Sequence, residues 1–281
     1  MIAICPNPFR DAELNITRQA VQLLNDAGFE TAVCPVFAEE NDPVIPKDME
    51  TLRPRDVAPD CAMIIIIGGD GTILAVSRQI KGLEVPLLGV NLGTKGFMTT
   101  LEPEDIGLIV NAARGEYKIS KRMMLDVSLI RGGKAIYTDY ALNDAVVHGY
   151  GDCVKISAWC DGERITSFSG DGVIISTATG STGYSMSAGG PIVEPEADAM
   201  ILSPICAHMM SARSFVLGPG RRISVKAEKL HSRRAYLSVD GNPVMDLVNG
   251  DMIVAERSEH STLMVDMGLK SFYELAYEIL T

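Results

Sequence analysis

Four consecutive isoleucines, Ile64 to Ile67, run without a polar break into Gly68-Gly69-Asp70-Gly71-Thr72, after which apolar residues resume. A strand that is apolar at every position has no solvent face. It belongs inside a parallel sheet covered by helices on both sides. A plain turn needs neither that burial before it nor so much backbone freedom, so a carboxylate held between glycines at the end of such a strand asks for a chemical reason.

The flanking segments fit the same sheet. MIAIC and ETAVC are short apolar strands, and AELNITRQAVQLLNDAG carries Leu14, Val21 and Leu24 near helical spacing before stopping at Gly28. A loop rich in Pro and Asp runs from Asn41 to Asp60; beyond the glycines come a helix (TILAVSRQIKG), the strand PLLGVN and a helix from PEDIGLIVNAARG. Strand and helix alternate, as in an open α/β domain with a mainly parallel sheet.

After Tyr117 the period changes to two. LDVSLI, CVKISAWC, RRISVKAE, AYLSVDG and STLMVDM alternate apolar and polar between Gly, Asp and Asn turns, with Val154, Ile156 and Ala158 on one face and Ile223, Val225 and Ala227 on another. The expected organisation is an α/β domain over residues 1–117 and a β-rich, layered antiparallel domain over 118–267. The helical SFYELAYEIL, within 268–281, is expected to pack back on the first domain.

Charge and cysteine usage narrow the function class. A net charge of −11, with no basic stripe, argues against nucleic acid as a partner. MIAICPNPFR lacks a basic leader region and no stretch of about 18 apolar residues occurs, so no membrane association is expected and the compartment reads as cytoplasmic. The six cysteines show no C-x-x-C spacing and read as reduced, buried thiols.

Ligands of open parallel sheets collect at the carboxyl ends of strands, where helix N-termini point inward. Gly68 to Gly71 sits at such an end, with Asp70 either aimed into the crevice or acting as N-cap of a helix beginning near Thr72. There is no Walker A sequence and no G-x-G-x-x-G. A second glycine-rich turn, Asn91 to Phe97, leaves the sheet at the same edge, and its Lys95 can offset phosphate charge or stay solvated. In LNDAVVHG, Asn143 and Asp144 are adjacent in an apolar strand; they suit a ribose diol, or mark a bulge. His148 reads as structural. The run from Gly170 to Val193 places Thr179, Thr182, Gly183, Tyr184, Ser185, Met186 and Ser187 after an apolar strand, dense in hydroxyls and amides for a polar ligand.

Taken together, GGDGT (Gly68 to Thr72), NLGTKGF (Asn91 to Phe97), LNDAVV (Leu142 to Val147) and DGVIISTATGSTGYSMSAGGPI (Asp171 to Ile192) resemble the bacterial NAD kinases in identity, order and spacing. SPICAHMMSARSFVL is similar to a segment that follows in that family. GGDGT alone is shared with lipid kinases; joined to the Thr/Ser/Gly run it is specific. The resemblance implies two domains with the active site in the crevice between them. It also implies transfer of the γ-phosphoryl group of ATP to the 2′-hydroxyl of the adenosine ribose of NAD, a divalent cation such as Mg²⁺, and a cytoplasmic homo-oligomer, a dimer or tetramer.

By motif, the resemblance makes Asp70 the catalytic carboxylate, with Gly71 beside it in the substrate site. It assigns NAD contacts to Asn143, Asp144, Asp171, Thr179 and the segment Thr182, Gly183, Tyr184, Ser185, Met186, Ser187. Ala207 lines the site, and Asn242 stands where the family often has Gln. Ser169 replaces a basic residue common two positions before the aspartate, and Ala178 and Gly183 replace the commoner proline and alanine. Two other readings share parts of this pattern: a lipid kinase of the diacylglycerol or sphingosine type, and a catalytically silent NAD sensor.

Overall fold

The computed structural model describes residues 1–281 other than 39–41, 43, 47–49, 210 and 231–232. Of the expected Pro- and Asp-rich loop from Asn41 to Asp60, residues 41, 43 and 47–49 lie outside the described residues, and its last part is not loop but a helical turn, Pro54–Val57, followed by a 3-10 turn, Ala58–Asp60. The chain divides into two compact units, Met1–Lys121 with Thr262–Thr281, and Arg122–Ser261.

In the first unit, strands β1 (Ile2–Pro6), β2 (Thr31–Val33), β3 (Met63–Gly68) and β4 (Leu87–Asn91) lie parallel in the order β2-β1-β3-β4. The last residues of the long strand Met252–Asp266 add beside β4, also parallel, with Met264 opposite Leu87. All four isoleucines of β3 are fully buried. Strand alternation turns Ile65 and Ile67 to one face, where they pack with Ala20 and Leu24 of α1 (Asn15–Asp26) and with Ile109 and Ala112 of a short helix, Ile109–Ala113. Ile64 and Ile66 take the opposite face. Helix α1 ends as expected at Gly28, which has φ +85°.

The helix after the glycines, Asp70–Gln79, starts two residues earlier than the sequence pattern places it. Gly69 occupies the N-cap and Asp70 the first helical position, so Asp70 is not the cap. Helix Phe272–Leu280 belongs to this unit, capped by Ser271, whose hydroxyl accepts the Glu274 N–H at 3.2 Å. Its Glu278 takes both Lys95 (2.6 Å) and Lys270 (2.7 Å), so Lys95 is engaged in an ion pair.

The second unit is antiparallel throughout its described pairings. A six-stranded sheet runs Phe215–Leu217, Met200–Ile205, Gly172–Thr177, Asp144–Gly149, Ala235–Val239, Asn242–Asp246. A second layer contains Val154–Cys160 between Glu163–Gly170 and Ile223–Glu228, with Met252–Ala255 beyond. Their inward residues interdigitate in one core: Val154, Ile156, Ala158, Ile223 and Val225 from one layer, Val147, Val173, Ile175, Leu202 and Leu237 from the other. Asn143 lies in a bend just ahead of its strand, which begins at Asp144.

The cysteines are all free, yet only Cys5 and Cys34 are buried. Cys61, Cys153 and Cys160 are partly exposed and Cys206 is exposed, which corrects the expectation of uniformly buried thiols.

Because Ile65 contacts helices on one face of a filled sheet, truncation leaves a void that the sheet cannot close. Ile65→Ala is expected to lower unfolding free energy by about 2–5 kcal/mol, read by chemical denaturation. A loss below 1 kcal/mol would contradict the packing described.

Candidate active site

In the first unit, three loops leave the carboxyl edge of the sheet beside one another: the one after β1 carrying Arg10, the Gly68 to Gly71 turn, and the Asn91 to Thr99 loop. The Asp70 carboxylate reaches away from its own helix and accepts the N–H of Phe97 at 2.8 Å and of Met98 at 3.2 Å. Burial raises its pKa from the ordinary range. The Phe97, Met98 and Thr99 amides and the Arg10 guanidinium oppose that rise.

Glycine is required at two points here by space. A Cβ on Gly96 would collide with the Asp70 carboxylate, and one on Gly68 with the Thr72 side chain. Gly71 has nothing within 4 Å of where its Cβ would lie, so the helix start is open on that side. The guanidinium of Arg10 lies against Gly69 and Gly93 and donates to Leu92 O at 3.1 Å. A partly buried carboxylate, a helix N-terminus and a guanidinium thus share one edge, an arrangement suited to a polyphosphate and a proton acceptor.

In the second unit, Asn143 and Asp144 sit against the hydroxyl-rich run. The Asn143 backbone packs so closely on Gly180 that any Cβ there would collide with it, and Asn143 Nδ2 lies 3.3 Å from the Cβ position of Gly183. Asn143 Oδ1 and Thr179 Oγ1 are both buried without a hydrogen-bond partner. Orphaned buried acceptors are rare and expensive, and each leaves room for a donor from a ligand or a water.

Asp144 is 5% exposed, and its pKa is pushed up to about 7, first by burial and then by the neighbouring charge of Asp240. The folded chain therefore holds a proton that the unfolded chain releases near its ordinary value of 3.8. The stability this group contributes is full below about pH 4 and declines as pH rises toward 7.

Tyr184, 40% exposed, has a phenol raised by burial and then by the charges of Tyr236, Cys206, Asp171 and Asp144. Those groups surround it. Its hydroxyl meets His148 Nε2 at 3.1 Å, and the two rings stack with centroids 6.3 Å apart. The neighbouring Asp171 carboxylate raises the pKa of the Cys206 thiol. Ala207 lies beside Gly170, its Cα 3.0 Å from the Cβ position there.

The other expected site residues take varied positions. Thr182 Oγ1 donates to Thr179 O at 3.1 Å, and Met186 and Ser187 lie on the single helical turn Tyr184–Ser187. Ser185 points inward and bonds Ser203 at 2.9 Å. Asn242 turns its amide onto its own hairpin, donating to Asp240 O at 3.1 Å.

Among the described residues, no three His, Cys, Asp or Glu side chains converge as a metal cage. Nor is any described helix long and apolar enough to cross a membrane.

Both units match one family. The ATP-NAD kinase N-terminal domain matches residues 2–115 and the C-terminal domain residues 143–267. The NAD kinase of Acetivibrio thermocellus is 35% identical over 98% of this chain and 94% of its own. The chain belongs to the ATP-NAD kinase family. Among solved structures it is similar to yeast NADH kinase complexed with NADH, with a TM-score of 0.85 and 26% identity over 99% of this chain and 86% of that one. It is also similar to an NAD kinase from Archaeoglobus fulgidus in complex with ATP, with a TM-score of 0.75 and 25% identity over 95% and 94%. Neither the lipid-kinase nor the silent-sensor reading finds support in these matches.

For this NAD kinase family member, motif reading passed over Arg10 and Asp240, and it took in Thr177 only as one hydroxyl of the Thr/Ser/Gly run. Arg10 was within reach, since the residues after β1 leave the same sheet edge as GGDGT. The hydrogen bonds of Thr177 and Asp240 go to backbone groups of residues 142–144, which a residue pattern does not display.

The space between Gly96 and Asp70 gives a direct test. Gly96→Ala is expected to displace the carboxylate and cut kcat at least about tenfold, in the range seen when a catalytic group is misplaced by about 1 Å. A folded variant with unchanged kcat would show that the close approach has no role in turnover.

Proposed function

We propose that the protein is an NAD kinase: it transfers the γ-phosphoryl group of ATP to the 2′-hydroxyl of the adenosine ribose of NAD, giving NADP and ADP. The observation that carries this reading is Asp70, a largely buried carboxylate at the first turn of a helix, held by the backbone amides of Phe97 and Met98 from the neighbouring loop. Family membership over both units supports it. So do the NADH and ATP described for the two structural relatives.

Phosphoryl transfer is mainly positioning and charge stabilisation, with one base to take the proton of the attacking hydroxyl. In this reading the 2′-hydroxyl gives its proton to Asp70 as its oxygen bonds the γ-phosphorus. The bond from that phosphorus to the β–γ bridging oxygen breaks, and ADP leaves with the electron pair. Burial raises the Asp70 pKa toward the working pH, which favours a proton acceptor. Arg10 and the amides at the start of helix Asp70–Gln79 would face the phosphates.

Asn143 and Asp144 would bind the ribose hydroxyls. Thr179, Thr182, Gly183, Tyr184, Met186, Ser187, Asp171 and Ala207 would bound the dinucleotide, with Gly71 leaving room beside Asp70. The inward Ser185 and the hairpin-bound Asn242 would act by holding backbone in place.

A divalent cation fits this site only as part of the nucleotide. Mg²⁺ keeps several waters and binds one or two carboxylates plus substrate phosphates, and Asp70 at this edge would supply such a carboxylate. When bound it would neutralise phosphate charge. Cytoplasmic residence and assembly as a dimer or tetramer accompany the reading as proposals drawn from the family resemblance.

NAD is the expected acceptor, with diacylglycerol, sphingosine and fructose 6-phosphate inert; lipid turnover above that on NAD would overturn this. Asp70→Asn is expected to retain fold and NAD affinity and to lose about 10²–10⁴ in kcat, because an amide cannot accept the proton. Turnover within a few-fold of wild type, with normal thermal unfolding, would remove Asp70 from the chemistry. Asp144→Ala is expected to raise the KM for NAD by an amount equivalent to about 1.5–3 kcal/mol with a smaller change in kcat. An unchanged KM would make Asp144 structural.

A further inference from the structure

We propose that Asp240 is a positioning residue for the dinucleotide: its carboxylate fixes the backbone of Leu142 to Asp144, and thereby aims the side chains of Asn143 and Asp144 at NAD. The proposal rests on the reading of Asn143 and Asp144 as NAD contacts.

The geometry is complete for three consecutive residues. Asp240 Oδ2 accepts the N–H of Leu142 at 2.8 Å, and Oδ1 accepts those of Asn143 at 2.8 Å and Asp144 at 3.0 Å. In return the Asp240 N–H donates to Asp144 O at 2.9 Å. The remaining carbonyls are taken from the other side. Thr177 Oγ1 donates to Leu142 O at 2.6 Å and Thr177 N to Asn143 O at 2.9 Å, while Thr177 Oγ1 also accepts Gly180 N at 3.0 Å.

Every backbone N–H and C=O of residues 142–144 is therefore satisfied within the fold. What the clamp leaves over is Asn143 Oδ1, buried and unpartnered. A rigid backbone carrying an unmet side-chain acceptor is the form of a preorganised ligand contact.

A turn alone does not call for this carboxylate. Asp240 and Gly241 form a two-residue hairpin between Val239 and Asn242, with φ +45° and +75°. Asn and Gly serve such turns as well as Asp. Neither offers two acceptor oxygens to three N–H groups. Asp240 is also 8% exposed, so its charge is held in the interior, where it is tolerable only because those donors replace water.

The pair has a division of labour. Burial raises both carboxyls, but Asp240 is opposed by its three N–H donors, while the rise at Asp144 is reinforced by Asp240. Asp240 thus holds the three donors that favour its charged form, and Asp144 lies next to that charge. The other groups facing them are Asp139, whose charge acts on Asp240, and the Tyr184 phenol facing Asp144.

Asp240→Asn keeps the hairpin residue type but turns an acceptor oxygen into an NH₂ facing a backbone N–H. The readout is initial-rate kinetics with NAD and ATP from pH 5.5 to 8.5, with thermal unfolding as control and Asp144→Ala in parallel. The expected result is a KM for NAD raised about 10- to 100-fold at pH 8, from loss of charge-assisted bonds, with kcat within about threefold. The acid limb of 1/KM should also move to lower pH, because Asp144 no longer faces a negative charge. A merely structural role would not move that limb.

If Asp240→Asn fails to fold, Thr177→Val and Thr177→Ser test the other jaw of the clamp. The valine variant should raise the KM for NAD and the serine variant restore it. Should Asp144→Ala weaken NAD while a folded Asp240→Asn leaves both KM and its pH profile unchanged, or should Thr177→Val leave KM unchanged, the positioning role is refuted. If Asp144→Ala itself has no effect on NAD, the site assignment fails first, and a normal Asp240→Asn profile would then refute the positioning role too.

Discussion

Taking a carboxylate out of water costs several kcal/mol unless other donors replace the lost hydration, and backbone N–H groups at fixed positions do so with little reorganisation. Each unit of this chain is built around such a replacement. Asp70 draws on the amides of Phe97 and Met98, and Asp240 on those of Leu142, Asn143 and Asp144. Asp11 does the same for the amides of Ile16 and Thr17 at the first turn of α1. In each case a side chain from one segment organises the backbone of another.

The glycines follow from the same constraint. Gly96 and Gly180 are needed for closeness: a single methyl at either would displace the Asp70 carboxylate or the Asn143 backbone. Gly28 and Gly241 serve dihedral freedom, at positive φ, with nothing near their Cβ positions. A glycine-rich motif therefore mixes two physical demands that the letter G does not separate. Within GGDG itself, Gly68 is crowded by Thr72 and Gly71 stands in open space.

Much of the fold was legible because burial imposes periodicity. The continuous Ile64 to Ile67 run marked a strand covered on both faces, and the period of two after Tyr117 marked the antiparallel layers. The start of the helix at Asp70 was missed because Asp is a common N-cap. Here a glycine fills that place, and the carboxylate is drawn off to the Asn91 to Thr99 loop. At the proposed site, residues that would contact ligand by side chain were readable as clustered chemistry. Those that act through backbone were not. Nothing in the string VDGN distinguishes a hairpin from a three-amide clamp, since the partners lie almost one hundred residues away. Lys95, whose position allowed either a phosphate role or a solvated one, lies half exposed and paired with Glu278 of the terminal helix.

The chain's acidity is consistent with this construction. A protein of net charge −11 has no long-range field that gathers polyphosphates, so attraction must be local and short. Backbone amides and helix N-termini act over a few ångströms, survive screening at close range and add no net charge. Lysines would act at longer range but are flexible and strongly hydrated. At the edge where Asp70 lies, Arg10 is fixed over two glycines and Lys95 is neutralised, so positive potential is concentrated at the amides and one guanidinium. A site of that kind selects by shape and by donor position, and it leaves the surrounding surface free to stay acidic.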